Sequence, residues 1–173
     1  MSSSIIKEIK ILLKKHNAGL LAHDYPPPEI QDLAHFTGDS LELSMRAAKT
    51  KADVIVFCGV LFMAETAAIL SPDKLVLLPQ IEAGCPLADM IIPEALIAKR
   101  KELNGISVVT YVNSPASVKA LSTICCTSAN ALMVVNSIKD DEILMVPDRN
   151  LAQYTSSQTG KIIHYWDGYC PVH

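Results

Sequence analysis

The sequence predicts an α/β fold built from repeated three-layer α/β/α units, each with a short parallel sheet. Apolar runs of about five residues, typical of strands buried on both faces, recur along the chain. Segments with helical spacing of apolar residues lie between them, and strands that alternate with helices form parallel sheets with right-handed crossovers. A third observation, an internal repeat, indicates that two such units follow one another and are related by pseudo-symmetry.

The first elements follow from local patterns. A helix is expected from Ile5 to about His16 with Ser4 as its cap, because its aliphatic residues share one stripe and its lysines the other face. A buried strand is expected at residues 18–22. Three prolines at residues 26–28 block its continuation and suit the entry to a helix near Glu29.

The same alternation continues to the end of the chain. Helices are predicted at residues 41–49 and 63–70. Strands are predicted at residues 54–57, 74–78, 107–112, 142–146 and 161–165.

The internal repeat is visible in the polar residues at the ends of these elements. His23 ends the first strand and Tyr111 ends the fourth, 88 positions later (23 to 111). Ser40 and Ser128 are separated by the same distance, and each is expected to open a helix. The repeat predicts two three-stranded units, with a first domain at residues 1–92 that includes the N-terminal helix and a second at residues 93–173.

Composition excludes two classes of partner. The formal net charge is −3 and the 15 Lys and Arg residues are scattered, so no basic stripe predicts binding to nucleic acid. No apolar run reaches the roughly 18 residues of a membrane span. The residues at the start lack the features of a signal peptide, and we therefore expect a cytoplasmic protein.

Polar residues at strand ends are the candidate site. Ligands of open α/β sheets bind outside the carboxyl ends of strands, where His23, Tyr25, Tyr111 and Asn113 are expected. Groups from both units could thus converge on one crevice. The structural alternative is that His23 bonds a backbone carbonyl while Tyr25 packs on the prolines. Helix starts attract anions, although helix capping alone also explains serines such as Ser40.

Five cysteines form an odd set without CxxC spacing, which fits neither a secreted disulfide framework nor a zinc knuckle. Cys85 and Cys170 each follow the last strand of a unit and precede a proline, so these loop cysteines are the better candidates for metal ligands. The alternative for any cysteine in an apolar strand is an inert buried thiol. That alternative applies to Cys58, and the adjacent Cys125 and Cys126 are also weaker candidates.

A series of motifs, in order and over nearly the whole chain, resembles the quinolinate synthases (the quinolinate synthetase A family). The motifs are LAHDY (21–25), EIQD (29–32), GDSLEL (38–43), ADVIVFCGV (52–60), FMAET (62–66), EAGCP (82–86), YVNS (111–114), CTSANA (126–131), PDRNL (147–151) and GYCPVH (168–173). Asp24 is a departure, because the family more often has asparagine there.

The resemblance implies three related α/β domains, each giving one cysteine to a [4Fe–4S] cluster with an open iron. It implies that Cys85 and Cys170 are two of the three protein ligands, and that Cys58, Cys125 and Cys126 are not ligands. The chain stops at His173, before the third domain and third cysteine expected from the resemblance. The residues that the resemblance places in the substrate cavity are His23, Tyr25, Ser40, Tyr111, Asn113 and Ser128.

The implied reaction condenses iminoaspartate with dihydroxyacetone phosphate to quinolinate, phosphate and water in NAD biosynthesis. The resemblance also implies a functional link to L-aspartate oxidase or aspartate dehydrogenase. His23, Tyr25 and Tyr111 are the candidates for proton transfer, and the sequence leaves open which of them moves which proton. Two alternatives stay open as well: a metal-free α/β module that binds a small anion, and a folded but catalytically incomplete fragment.

Overall fold

A computed structural model describes residues 2–171. Met1, Val172 and His173, and with the last two the end of the GYCPVH motif, lie outside the described residues. The chain divides by internal contacts into two compact units, Met1–Ala83 and Gly84–His173. This division falls before the domain boundary expected after residue 92, which stays a prediction.

The first unit is a four-stranded parallel sheet with helices between the strands. The strand order is β2-β1-β3-β4, so β1 and β3 are the central pair. The elements in chain order are α1 (Ser3–Lys15), β1 (Ala18–His23), α2 (Pro28–Gln31), β2 (Phe36–Gly38), α3 (Ser40–Lys49), β3 (Val54–Cys58), α4 (Leu61–Leu70) and β4 (Leu75–Leu77).

The second unit repeats this architecture after a single 3₁₀ turn at Ala88–Met90. Its strand order is β6-β5-β7-β8, again all parallel. The elements are α5 (Pro93–Glu102), β5 (Ser107–Tyr111), α6 (Ala116–Lys119), β6 (Ile124–Cys126), α7 (Ala131–Ser137), β7 (Glu142–Val146), α8 (Arg149–Ser157) and β8 (Ile162–Tyr165).

The α/β fold with repeated three-layer units is confirmed, but each unit has four strands rather than three. The additional strands, β2 and β6, are three residues long and lie at the sheet edge. Phe36–Gly38 contains no apolar run, and Ile124–Cys126 is an apolar run too short to indicate a strand. The first helix also begins earlier than expected. Its cap is Ser2, whose hydroxyl accepts a hydrogen bond from the Ile5 amide at 3.4 Å, and Ser4 lies inside the first turn.

Hydrogen bonds recur in the two units at the displacement seen in the sequence. The His35 amide donates to the Leu20 carbonyl at 2.8 Å, and the Thr123 amide donates to the Val108 carbonyl at 2.9 Å. In return, the Leu20 amide donates to Nδ1 of His35 at 3.0 Å, and the Val108 amide donates to Oγ1 of Thr123 at 3.0 Å. These bonds fix the turn into each edge strand, so the repeat extends to individual side-chain contacts.

The sheet of the second unit is covered on both faces by separate apolar clusters. Val109, Ile143 and Met145 pack on one face beneath α7 and α8. Val108 and Leu144 pack on the other face, which α5 and α6 cover. Successive residues of a strand point to opposite faces, which explains why the central strands consist of uninterrupted apolar residues.

Within residues 2–171, no helix combines the length and apolarity that a membrane crossing requires.

The loop after β8 approaches the end of β7 closely. Gly168 forms a parallel bridge with Asp148, and the Arg149 amide donates to the Gly168 carbonyl at 2.8 Å. A Cβ atom at residue 168 would lie less than 3.0 Å from the carbonyl oxygen of Pro147, a separation that real Cβ atoms essentially never show. Glycine is therefore required here by space, since the opposing atom is backbone.

We expect Gly168→Ala to lower the free energy of unfolding by about 1–3 kcal/mol, because the added methyl group must displace backbone. Gly160→Ala is the matched control in a nearby loop, since a Cβ atom there has no heavy atom within 4 Å. The control should change stability by no more than about 0.5 kcal/mol. Urea unfolding of the three proteins measures both effects. Equal stability of the two variants would contradict the assigned contact.

Candidate active site

The predicted site residues of the first unit meet at the carboxyl edge of its sheet. His23 ends β1 and is paired with Gly38 of β2, two residues before Ser40. Asp39 caps α3, and its Oδ1 atom accepts hydrogen bonds from two first-turn amides at 2.9 and 2.8 Å. Ser40 is the first residue of that helix. The strand pairing thus brings His23 and the segment of Ser40 to the same edge.

His23 is buried, with 8% of its surface exposed. Its Nδ1 accepts a hydrogen bond from the Tyr25 amide at 3.3 Å, and the two rings lie 4.4 Å apart at 57°. Burial lowers the pKa of His23, while the carboxylates of Asp24 and Asp39 partly oppose this shift. The neutral ring then carries its proton on Nε2, because Nδ1 acts as an acceptor. Tyr25 itself is 77% exposed.

Tyr111 occupies the equivalent position in the second unit. It ends β5 and is paired with Cys126 of β6, two residues before Ser128. The side chains of Tyr111 and Ser128 interact. Burial is the main cause that raises the pKa of Tyr111 to about 12. The interaction with Ser128 lowers this pKa, and electrostatic interactions with Asp148, Cys170 and Cys126 raise it. The phenol is therefore neutral over the physiological pH range.

The polar residues near Tyr111 lie on loops. Asn113 follows β5 and is half-buried. Ser128 was expected to open a helix, but α7 begins only at Ala131 with Asn130 as its cap. The reason is that the Asn130 side chain accepts from the Thr127 amide at 2.7 Å and closes a turn before the helix. Ser128 is thus exposed at a turn and reaches Tyr111 from there.

The same backbone hydrogen bond precedes both loop cysteines. In the first unit the Leu61 amide, at the start of α4, donates to the Ala83 carbonyl at 2.8 Å. In the second unit the Arg149 amide, at the start of α8, donates to the Gly168 carbonyl at the same distance. Cys85 and Cys170 each follow the accepting residue by two positions. Each bond returns the chain from the last strand to the end of a central strand.

Contacts inside the second unit tie the segment of Cys85 to the loop of Cys170. The Asp89 amide donates to the Cys85 carbonyl at 3.0 Å and closes the turn that leads to Met90. The indole Nε1 of Trp166 donates to the Met90 carbonyl at 2.9 Å, and the Tyr169 amide approaches the Met90 sulfur at 3.4 Å. Both cysteines are free thiols of intermediate exposure.

The other three cysteines lie in strands. Burial raises the pKa of Cys58 in β3 and of Cys125 in β6. It raises the pKa of Cys126, also in β6, to about 12. A buried thiol of raised pKa is a poor source of the thiolate that a metal needs.

The donor chemistry of Cys85 and Cys170 fits iron–sulfur ligation, for which cysteine thiolates are the usual protein ligands. Two thiols are fewer than a cluster requires. Between residues 2 and 171, no group of three or more His, Cys, Asp or Glu side chains is arranged to hold a metal ion.

Two residues near the site were not singled out from the sequence. Asp148 is 3% exposed, caps α8 through bonds to two first-turn amides at 2.8 and 3.2 Å, and acts electrostatically on Tyr111. Arg149 contacts the loop of Cys170. The available signal was their position in the PDRNL motif directly after a buried strand, since residues at such strand ends face the ligand edge.

Comparison with known proteins agrees with the motifs. A family model described as quinolinate synthetase A protein matches residues 7–173. The quinolinate synthase of Geobacter metallireducens is 60% identical over 172 residues, which cover 99% of this chain and 57% of that protein. The quinolinate synthase of Methanosarcina barkeri is 55% identical over 171 residues, 99% of this chain and 56% of its own length. The chain thus spans little more than half the length of these relatives, and it belongs to the quinolinate synthetase A family.

Proposed function

We propose that the protein acts in quinolinate synthesis, condensing iminoaspartate with dihydroxyacetone phosphate to give quinolinate, phosphate and water. Family membership supports this proposal, and one structural observation carries it. His23 and Tyr111 end equivalent strands. His23 is paired with a residue two positions before Ser40, and Tyr111 is paired with a residue two positions before Ser128. The two units therefore present matched polar groups at the sheet edge where ligands of α/β proteins bind.

Both proposed substrates are anionic, and Ser40, Ser128 and Asn113 are the groups we assign to binding them. The amides of Leu41 and Glu42 in the first turn of α3 already donate to Asp39, so these two are not available to a carboxylate or phosphate. The hydroxyl of Ser40 is a donor that can meet an anion at this helix start. Ser128 offers a hydroxyl from its loop, and Asn113 offers an amide that can donate or accept.

His23, Tyr25 and Tyr111 are the groups we assign to proton transfer. His23 is held neutral with Nδ1 occupied, so Nε2–H is the proton it can donate. Tyr111 is a neutral phenol, which suits it to donate a hydrogen bond or a proton to oxygen rather than to act as a base. The ring of Tyr25 contacts that of His23 at a tilt, and Tyr25 is exposed, so its hydroxyl can meet a ligand from solvent.

Cys85 and Cys170 would hold a [4Fe–4S] cluster together with a further ligand. When bound, the cluster would supply a Lewis acid at its open iron, which eases the loss of water from hydroxyl-bearing carbon. Two sets of contacts support this assignment: the backbone hydrogen bond before each cysteine, and the hydrogen bonds from Trp166 and Tyr169 to Met90. They fix the conformation of the two loops that carry the cysteines. We further propose a cytoplasmic location and iminoaspartate supply by L-aspartate oxidase or aspartate dehydrogenase.

The ligand assignment predicts which cysteines retain iron. Replacing Cys85 or Cys170 by serine should remove most of the iron and sulfide from protein reconstituted without oxygen, along with its brown absorbance. Cys58→Ser and Cys126→Ser are the controls and should retain both. Full iron content in either loop variant would refute the assignment, and a colourless wild-type protein that binds dicarboxylates would favour a metal-free binding module.

The catalytic assignment predicts that Tyr25→Phe and Tyr111→Phe each lower quinolinate formation by about ten- to ten-thousand-fold. That range is typical when a general acid or a transition-state hydrogen bond is lost. Iron content and folding should stay normal, since only a hydroxyl group is removed. Tyr154→Phe, on the exposed side of α8, is the control. Turnover within twofold of wild type for both site variants would show that neither phenol takes part.

A further inference from the structure

One side chain, Arg149, contacts the loop that carries Cys170 on both sides of Gly168. Its Nη1 atom lies 2.7 Å from Oδ1 of Asp167, and its guanidinium carbon lies 4.9 Å from the centroid of the Tyr169 ring. Its backbone amide donates to the carbonyl of Gly168 between them. Three consecutive loop residues are thus held by a single residue, directly before Cys170.

The geometry of these contacts suits orientation more than stability. The side chains of Arg149 and Asp167 are 40% and 87% exposed, and exposed ion pairs contribute little to the free energy of folding. A guanidinium group, however, is planar and rigid. It can bind a carboxylate with its edge and an aromatic ring with its face, which fixes the two partners relative to each other.

The first unit provides an internal comparison. Leu61 occupies the position equivalent to Arg149, and its amide makes the same backbone bond to Ala83. An aliphatic side chain cannot form an ion pair or a cation–π contact, yet the turn into this loop is the same. The fold therefore does not need arginine at this position, and the side-chain contacts of Arg149 are additional to the shared turn.

We propose that Arg149 is a positioning residue that fixes the Cys170 loop so that the thiol is presented to a metal. The part of this inference that concerns metal rests on the proposed function, whereas the fixing of the loop does not. Hydrogen bonds from Trp166 and Tyr169 to Met90 also hold this loop. Loss of the Arg149 side chain therefore makes the Cys170 loop more mobile without unfolding the unit.

The test compares Arg149→Met, which keeps an apolar stem of similar length, with wild-type protein in the metal-free state. The rate at which Cys170 reacts with N-ethylmaleimide, measured by mass spectrometry of its peptide, should rise on the order of tenfold, since an ion pair and a cation–π contact are lost together. Cys58 in β3 serves as the internal reference and should react at an unchanged rate. Arg149→Lys keeps the charge but not the planar fork and should restore the slow rate only partly.

Arg46→Met is the matched control, because Arg46 makes the same two kinds of contact elsewhere. It pairs with Glu42 at 3.4 Å and lies 5.1 Å from the Phe36 ring centroid. This variant should leave Cys170 reactivity unchanged. Iron per chain after anaerobic reconstitution should fall at least twofold in Arg149→Met and not in Arg46→Met, and both variants should remain folded, with one cooperative urea transition.

A Cys170 rate within twofold of wild type in Arg149→Met would overturn the proposal. A faster rate with unchanged iron content would overturn the role in presenting the thiol to metal. If wild-type protein takes up no iron, the proposed function fails, and the maleimide rates alone then decide whether Arg149 fixes the loop.

Discussion

In each unit, one backbone hydrogen bond connects a helix start to the loop that carries a cysteine. Leu61, which begins the helix after β3, and Arg149, which begins the helix after β7, each donate an N–H to the carbonyl of the residue two positions before that cysteine. This bond satisfies one of the amides that a helix start leaves without an intrahelical partner. The same bond also brings the loop after the last strand of the unit to the edge of the sheet where the central strands end. The placement of Cys85 and Cys170, and the need for glycine at residue 168, both depend on it.

Burial favours one protonation state for the side chains at the strand ends. His23 and Tyr111 sit at equivalent places, and removal from water favours the neutral form of each: the pKa of the imidazole is lowered and that of the phenol is raised. Two different side chains thus become two uncharged hydrogen-bonding groups at matched positions. Two of the acidic residues close to them, Asp39 and Asp148, are engaged as helix caps, which keeps them fixed beside the site.

Much of the fold could be predicted because long apolar runs and polar strand ends are visible in the sequence. The 88-residue displacement of His23 and Tyr111 correctly indicated a repeated unit. The short edge strands β2 and β6 could not be predicted, since Phe36–Gly38 forms a strand only through pairing with β1. The start of α7 at Ala131, rather than at an earlier residue, depends on a turn that the Asn130 side chain closes before the helix. The contacts of Arg149 could not be predicted either, because they join residues 18 positions apart through a loop.

The turn into the edge strand is closed by His35 in the first unit and by Thr123 in the second, through otherwise equivalent hydrogen bonds. An imidazole nitrogen and a hydroxyl oxygen can each accept a hydrogen bond from a backbone amide. The turn therefore needs an acceptor at this position, but not one particular side chain. Two copies of one architecture can thus diverge in sequence at a position where their backbones follow the same path.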